Sequence, residues 1–500
     1  MSQNLIPYQT KNKLRIVTAA SLFDGHDAAI NIMRRILQSS GAEIIHLGHN
    51  RSVLEIVECA IQEDAHAIAI TSYQGGHLEF FKYMYDLLVE KGCEHIKIFG
   101  GGGGVILPEE IEQLHQYGIA RIFTPDDGRS MGLQGMINYI LEKIDYPLEI
   151  EKQWMQKIPN YNEPQKIGRF ITCLENNQPG VNEIKDLLKK SEQGLRIPVI
   201  GITGTGGSGK SSLVDELIRR FLIDHTELKI GVISVDPSKR KSGGALLGDR
   251  IRMNSIHNPR VYMRSMATRE ANLSISKHID DSITVLKAAG YNMIILETSG
   301  IGQSDTQIVD HCDVTVYVMT PEFGAPSQLE KIDMLDFADI ISINKSDKKG
   351  ALDALREVRK QFQRNKGLWE TNPEELPVFL THASQFFDPG VNQFYFKLKS
   401  IIQKNFTHSI APVESHFYSA KVNQIIPPER VRYLSEISES IREYNLKAEE
   451  QSTIASKINA LNQTFQLLEK NSTTGKEITE LIASWKKKLS SENIELLTFW

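Results

Sequence analysis

Between residues 13 and 145, short apolar runs alternate with amphipathic stretches. Leu14–Ala19, Glu43–Leu47, Ala67–Thr71, Ile96–Phe99 and Ala120–Phe123 have the length and apolar content expected of buried strands. Asp27–Ser39, Val53–Gln62, Leu78–Glu90 and Glu109–Gln116 have apolar positions at three- and four-residue spacing, which predicts helices between those strands. Alternation of this kind implies a parallel sheet covered by helices on both faces. Five strands in about 130 residues fit a flavodoxin-like (Rossmann-type) α/β domain over residues 1–145.

Residues 146–195 are more polar and include Pro159-Asn-Tyr-Asn-Glu-Pro164, which predicts a linker containing some helix. A second α/β pattern follows, with strands expected at Pro198–Ile202, Lys229–Val235, Met293–Glu297, Val314–Met319 and Ile340–Asn344. It closes near residue 410, giving a second domain over 196–410. Residues 411–500 change character. Val431, Leu434, Ile437, Ile441 and Tyr444 form one helical apolar face, and Ile454, Ile458, Leu461, Phe465 and Leu468 form another.

Composition narrows the class. The 500 residues include 57 Lys+Arg and 62 Asp+Glu, a formal charge of −5, so no basic field invites nucleic acid. The four cysteines, Cys59, Cys93, Cys173 and Cys312, are scattered and form no CxxC pair, so no disulfide framework or zinc site is expected. No apolar run reaches the roughly 18 residues of a membrane helix, and the first residues lack a signal-peptide core. The expectation is a cytoplasmic protein with no membrane partner.

Gly204-Thr-Gly206-Gly207-Ser208-Gly209-Lys210-Ser211 fits the phosphate-loop pattern G-x-x-x-x-G-K-[ST], with an apolar run before it and a helical stretch, Ser212–Phe221, after it. Glycines let backbone N–H groups turn inward around a phosphate at a helix N-terminus. Lys210 is expected to reach the β- and γ-phosphates and Ser211 to ligate Mg²⁺. Asn344-Lys345-Ser346-Asp347 begins 134 residues after Lys210, behind another apolar run. Alone, such a tetrapeptide is a common polar turn. In this position Asp347 can accept from the two N–H groups of guanine's Watson–Crick edge, and Asn344 can tie its loop to the phosphate loop, which favours GTP over ATP. Thr381-His-Ala-Ser384 is a further candidate for the base pocket. Asp236, Asp249 and Glu297 fall at or near strand ends, where such proteins hold Mg²⁺. For Asp249 a solvated loop charge is the alternative.

A third constellation lies in the first domain. His26 follows the first strand, with Asp24 two residues before it. A lone loop histidine is usually an ordinary surface residue. A carboxylate on one ring nitrogen, however, leaves the other as a stronger metal ligand. Ser72 follows the third strand, and five consecutive glycines, Gly100 to Gly104, follow the fourth. All three segments sit at carboxyl ends of strands, where open α/β sheets bind ligands.

Asp24-x-His26, Ser72 and the Gly101-Gly102 pair resemble the cobalamin-binding domain of the acyl-CoA mutases and methionine synthase. That resemblance implies His26 as the lower ligand of cobalt, with the nucleotide tail running in beside Ser72 and the glycines. One position departs from the pattern: Ala29 stands where D-x-H-x-x-G ends in glycine. GITGTGGSGKSS, SVDPSKRKSGGALLGDRIRM and ETSGIGQSD in turn resemble the G-protein chaperones of those mutases. This implies Mg²⁺ ligands or their supports at Ser211, the Val235 carbonyl, Asp236, Asp249, Glu297 and Thr298. It also implies a nucleotide contact at Arg252, catalytic roles for Lys210, Asp236 and Glu297, and base recognition by Asn344 to Asp347.

The order of the two domains, and the segment Pro427 to Ile437 after them, resemble the fused isobutyryl-CoA mutases of the methylmalonyl-CoA mutase family. The resemblance implies adenosylcobalamin, GTP and Mg²⁺ as cofactors. It also implies an acyl-CoA mutase barrel as partner and a homo-oligomer in the complete enzyme. About 90 residues after position 410 cannot hold a barrel of roughly 250. The chain is therefore expected to be the cobalamin-binding and GTP-hydrolysing part of such a mutase. The alternatives are a free-standing GTP-dependent cobalamin carrier and an unrelated P-loop kinase beside a flavodoxin-like domain.

Overall fold

The computed structural model describes residues 6–191, 196–269, 276–300, 306–406, 433–467 and 473–499. Parts of two quoted segments, Ile301 to Asp305 and Pro427 to Arg432, lie outside them, as do Val431 and Leu468. The chain forms two compact units, residues 1–420 and 421–500.

The strands are β1 Arg15–Ser21, β2 Glu43–Arg51, β3 Ala67–Thr71, β4 Lys97–Gly101, β5 Arg121–Phe123, β6 Val199–Gly204, β7 Ile230–Asp236, β8 Ala245–Leu247, β9 Val261–Ala267, β10 Met293–Glu297, β11 Val314–Met319, β12 Ile340–Asn344 and β13 Val378–Thr381. Helices α1 Ala28–Ser39, α2 Val53–Gln62, α3 His77–Glu90, α4 Pro108–Tyr117 and α5 Pro125–Ile144 cover the first sheet. Helices α6 Pro164–Glu175, α7 Val181–Ser191 and α8 Lys210–Asp224 follow, then α9 Ile279–Ala288, the short α10 Pro326–Leu329 and α11 Met334–Phe337, α12 Ala351–Lys366 and α13 Pro389–Asn405.

The first sheet is parallel, with order β5-β4-β3-β1-β2-β8. Its first five strands have the flavodoxin-like order expected from the alternation. The sixth is supplied by the second α/β half: Glu43, Ile44 and Ile45 pair with Ala245, Leu246 and Leu247. The second sheet is also parallel, β13-β12-β11-β6-β10-β7-β9. Strand alternation sorts its core: Ile200 and Ile202 pack on one face with Leu213, Leu217 and Phe221 of α8. Val199 packs on the other with Phe170 and Ile171 of α6 and Ile283 of α9. Each such side chain, fully withdrawn from water, contributes roughly 1.5–3 kcal/mol. Helices α6 and α7 thus form part of the second core, although they lie in the stretch expected to be a linker.

The seam between the two halves is built from charge. Glu63 is fully buried. It accepts from Arg15, from Arg250 Nε at 2.7 Å and from Ser265 N and Oγ at 2.9 and 2.8 Å. Glu43 takes Arg15 Nη1 and Arg269 Nε, each at 2.8 Å. Arg169 of α6 reaches Asp64 at 3.0 Å.

Two buried histidines make this half sensitive to acid. Burial holds both His46 and His66 down to about 4. A neutral buried histidine stabilises the fold fully above its unfolded value of 6.5, and that contribution is lost as pH falls toward 4. The melting temperature is expected to fall between pH 6.5 and 4, and His66→Gln should flatten the fall in thermal melts across that range.

The second unit holds α14 Tyr433–Gln466, α15 Thr473–Lys486 and α16 Ser491–Phe499. Ile454 and Ile458 are buried with Leu489 against Ile482 and Trp485, as their spacing predicts. Leu434, Ile437, Ile441 and Tyr444, the other expected face, are exposed.

Candidate functional site

Strands β1 and β3 are neighbours, but the chain leaves β1 for β2 on one side and returns to β3 on the other. Their carboxyl ends therefore flank the crevice where doubly wound sheets take ligands. Asp24 and His26 follow β1, and Ser72 and Tyr73 follow β3. The buried Asp24 carboxylate accepts from His26 N at 2.9 Å and Tyr73 N at 2.6 Å, and its Oδ1 lies 2.9 Å from His26 Nδ1. Burial alone would raise the Asp24 carboxyl, but these hydrogen bonds outweigh it and hold the group below the usual carboxylate range. The imidazole itself is three-quarters exposed. A ring with Nδ1 bonded to a fixed carboxylate and the other edge open is oriented for metal ligation through Nε2.

Behind it lies a largely apolar cavity of about 360 Å³, lined by Ala29, Ile30, Met33 and Leu37 of α1, Gly100 to Gly103 and Thr124. A Cβ on Gly102 would stand 2.1 Å from the Ser72 carbonyl oxygen, and one on Gly100 2.5 Å from the Phe81 ring. Gly102 thus brings the loop after β4 against the loop after β3, and Gly100 lets β4 lie close against α3. Ser21 Oγ donates to Ser72 Oγ at 3.0 Å. Ala29 lines the cavity without closing it. A flat, apolar ring fits here, such as the base that ends the cobalamin tail. Tyr73, whose ring centroid lies 5.4 Å from that of His26, and Ser21 are parts of this site that the motif did not point to.

In the second half, the loop between β6 and α8 bounds a cavity of about 280 Å³ with Gly206, Gly207, Gly209, Lys210 and Ser211. Gly209 has φ +91°, and a Cβ there would stand 2.3 Å from Asn344 Nδ2. That asparagine donates to the Ser208 carbonyl at 2.7 Å, which is the tie between loops that its position predicts. Asn344 Oδ1 accepts from Ala383 N at 3.0 Å and Thr381 Oγ1 at 3.2 Å, so the loop after β13 joins the same assembly. Ser384 is exposed on that loop, and Asp347 Oδ1 lies 3.6 Å from His382 Nε2. Lys345 takes the left-handed conformation, φ 59°.

Ser211 Oγ lies within hydrogen-bonding distance of both Asp249 Oδ1, 3.2 Å, and Glu297 Oε1, 2.8 Å. Asp236 Oδ2 accepts from Gly248 N at 3.1 Å. Ser234, absent from the expected set, donates to Asp249. Thr298 Oγ1 is engaged with Thr203 Oγ1 at 2.8 Å, Val235 is held in β7 opposite Met266 of β9, and Arg252 lines the cavity. Burial first, and the neighbouring Asp249 second, push Asp236 up to about 7 and Glu297 well above the carboxylate range. Glu297 Oε2 is buried without a hydrogen-bond partner. A cluster of mutually repelling carboxyls with an orphaned oxygen fits a divalent cation. Among the described residues no three His, Cys, Asp or Glu side chains converge to cage a metal on their own.

Among the described residues no helix is long and apolar enough to cross a membrane. A B12-binding domain model matches residues 14–131 and the methylmalonyl-CoA mutase-associated GTPase MeaB model matches residues 167–408. The fused isobutyryl-CoA mutase of Geobacillus kaustophilus is 52% identical over 99% of this chain and 46% of its own length. That of Cupriavidus metallidurans is 50% identical over 98% of this chain and 45% of its own. A putative GTPase of Pyrococcus abyssi is 37% identical over 46% of this chain and 70% of its own. The chain spans about half the length of the fused mutases it matches. It belongs to the fused isobutyryl-CoA mutase family, and corresponds to the half that carries the B12-binding domain and the MeaB-type GTPase domain.

Proposed function

We propose that the chain binds adenosylcobalamin and hydrolyses GTP as part of a carbon-skeleton mutase that interconverts isobutyryl-CoA and n-butyryl-CoA. The acyl-CoA is held by a mutase barrel domain or subunit, and the GTPase gates cofactor loading. Residues 1–145 form the cobalamin module, 146–195 a connecting region whose helices α6 and α7 pack into the GTPase core, 196–410 the rest of the GTPase and 411–500 a helical connection, in a cytoplasmic, homo-oligomeric enzyme. The observation that carries this reading is the pairing, in one compact unit, of the Asp24–His26 couple over a glycine-floored cavity with a phosphate loop tied to Asn344.

Bound adenosylcobalamin supplies a carbon-centred radical by homolysis of its cobalt–carbon bond. The protein's share is positional. Asp24 fixes the ring of His26, so that Nε2 would be the atom that holds cobalt. Ser72, Gly101 and Gly102 shape the cavity for the nucleotide tail. In the GTPase, backbone N–H groups from Gly204 to Gly209 and the Lys210 amine hold the β- and γ-phosphates. Ser211, the Val235 carbonyl, Asp236, Asp249, Glu297 and Thr298 would hold Mg²⁺ or support its ligands, and the ion would supply charge neutralisation at the phosphates. Lys210 stabilises charge developing at the γ-phosphate. Asp236 and Glu297 orient the attacking water, and Arg252 contacts the nucleotide.

Asn344, Lys345, Asp347 and Ser384 form the base pocket. Asp347→Ala removes the acceptor that pairs with guanine's two N–H groups. The preference for GTP over ATP is expected to fall by about 10²-fold or more, read as the ratio of kcat/KM values.

The deciding experiment adds the chain to a separately produced mutase barrel subunit and assays isomerisation with adenosylcobalamin and GTP. GTP-dependent turnover supports the reading. Cobalamin transfer to the barrel without a lasting complex supports a free-standing carrier instead.

A further inference from the structure

A third cavity, of about 430 Å³, lies where residues before β1 and β3 meet residues after α6 and β9. None of the described residues lining it also lines the nucleotide or the cobalamin cavity. Unlike the cobalamin cavity, it is lined largely by polar side chains. The chain builds it from the end of a helix. Helix α6 stops at Glu175, and Asn177 takes the left-handed conformation, φ 47°, which asparagine tolerates better than most residues. Gln178 N then donates back to Cys173 O at 3.1 Å, which closes the turn and leaves Glu175 and Gln178 on the cavity wall. His278, immediately before α9, supplies another part of the wall.

Glu175 and His278 are only 5% and 8% exposed, so their polar atoms need partners. Glu175 Oε2 accepts from Arg264 Nη2, and Arg269 Nη2 stands 3.9 Å from Oε1. Yet Glu175 Oε1, Gln178 Oε1 and His278 Nε2 are buried without a hydrogen-bond partner among the described residues. Burial pushes the His278 imidazole below its ordinary value, so the ring is neutral near pH 7. Its Nδ1 faces Asp281 Oδ2 at 3.6 Å, which draws the ring proton to that side and leaves Nε2 an acceptor. All three orphaned atoms are then acceptors. A buried acceptor left unmet is destabilising. Packing gives no reason for three of them to line one cavity, whereas a ligand with several donors would meet them all.

Charge decides what kind of donor. The Glu175 carboxylate is already answered by Arg264 and Arg269, so an ammonium brought to it would meet two guanidinium groups. A hydroxyl meets no such repulsion. Lys11 and Lys13 line the same cavity and are exposed, and Lys277 lines it too, so the field there favours an anion. We infer that this cavity binds a small anion bearing hydroxyl groups, a phosphorylated or carboxylated polyol. Its hydroxyls donate to Glu175, Gln178 and His278, and its anionic group lies toward Lys11 and Lys13.

The test is isothermal titration calorimetry on the full chain, with GDP saturating in both cell and syringe so that the nucleotide cavity is filled. Ribose 5-phosphate and gluconate each carry an anion and hydroxyls. Inorganic phosphate carries the anion alone, and phosphoethanolamine carries an ammonium in place of hydroxyls. Ribose 5-phosphate or gluconate is expected to bind about 10-fold more tightly, or better, than either of the other two. Tighter binding of one polyol supports the inference and names the anion. Gln178→Leu and His278→Phe are each expected to weaken that polyol by about 5- to 10-fold and to leave phosphate binding unchanged. Neither should lower the melting temperature of the chain without probe, because the acceptors removed have no protein partner, whereas a structural role would lower it. Lys11→Ala combined with Lys13→Ala is expected to weaken polyol and phosphate alike. Failure of both polyols to bind at millimolar concentration overturns the inference, whether or not the variants fold. Tighter binding of phosphoethanolamine overturns it too, as does polyol affinity that persists in both folded variants of Gln178 and His278.

Discussion

Lys210→Met is expected to lower GTP turnover at saturating nucleotide by about 10²- to 10³-fold while leaving the melting temperature nearly unchanged. Lys210 is only 8% exposed, and its Nζ donates to Gly204 O at 3.1 Å and Thr205 O at 3.3 Å, carbonyls of its own loop. That arrangement holds the amine at the mouth of the loop, over the place where backbone N–H groups converge on a phosphate. Methionine has a similar length and apolar stem but no charge, so packing at the start of α8 survives and the electrostatic contribution does not. Charge at a water-poor site counts for more than on the surface, because less solvent screens it. The loss belongs in kcat if the amine acts on charge that develops during transfer, and in KM if it only binds the ground state. Steady-state kinetics on the folded variant separates the two. Removing Mg²⁺ with EDTA should bring the unaltered enzyme to a comparable floor, since Glu297 and Asp249 then face the phosphates with nothing to neutralise them. A variant that keeps its turnover within ten-fold and melts normally would remove Lys210 from the reaction.

Much of this site is local and hence legible in a sequence. The phosphate loop needs glycines and a lysine at fixed spacing, because the loop's geometry is set by consecutive residues. The five apolar runs of the first half and the strands Met293–Glu297, Val314–Met319 and Ile340–Asn344 are legible for the same reason; the tie from Asn344 to the phosphate loop is a long-range contact, legible only through the residue types of its tetrapeptide and its place behind an apolar run. What stays hidden is whatever depends on a distant partner. Strand β9 is interrupted by Arg264 and Ser265, which are polar in the sequence but buried against Glu63 and Glu175 in the fold. An apolar-run reading passes over it. Strand β8 is three residues in a glycine-rich segment and becomes a strand only because the exposed edge of β2 accepts it. Helix α6 carries Ile167, Phe170, Ile171 and Leu174 on a polar background, so its apolar face registers less strongly than the prolines flanking it. Asp249 keeps a loop charge as its alternative reading until Ser211 and Ser234 are seen on its two oxygens. The exposed face of Leu434, Ile437, Ile441 and Tyr444 shows the limit of periodicity: spacing predicts a helix, but only packing decides whether its apolar face is covered.

His26→Ala is expected to abolish histidine ligation of cobalt, and Asp24→Asn to weaken cobalamin binding by about 10- to 100-fold with His26 still present. The difference follows from the hydrogen bonds around the carboxylate. Asp24 accepts from two backbone N–H groups and sits 2.9 Å from His26 Nδ1, so its oxygens serve donors only. Asparagine has one oxygen and one NH₂ group, and in either orientation the NH₂ opposes a donor. Either the loop loses the Tyr73 N–H bond that joins β1 to β3, or Nδ1 loses its acceptor. In the second case the proton is free to move to Nε2, which removes the lone pair that would bind cobalt. The readout must report the ligand and not only the affinity. In the cob(II)alamin state, electron paramagnetic resonance resolves splitting from the axial nitrogen. Substituting ¹⁵N-histidine in the protein turns a three-line pattern into a two-line one only if that nitrogen is a histidine's. The unaltered chain is expected to change pattern, the Asp24→Asn chain to do so at much higher cobalamin concentration, and the His26→Ala chain not to do so at all. An unaltered chain that binds cobalamin and keeps three lines on labelling would show that the ring fixed by Asp24 is not the one that holds the metal.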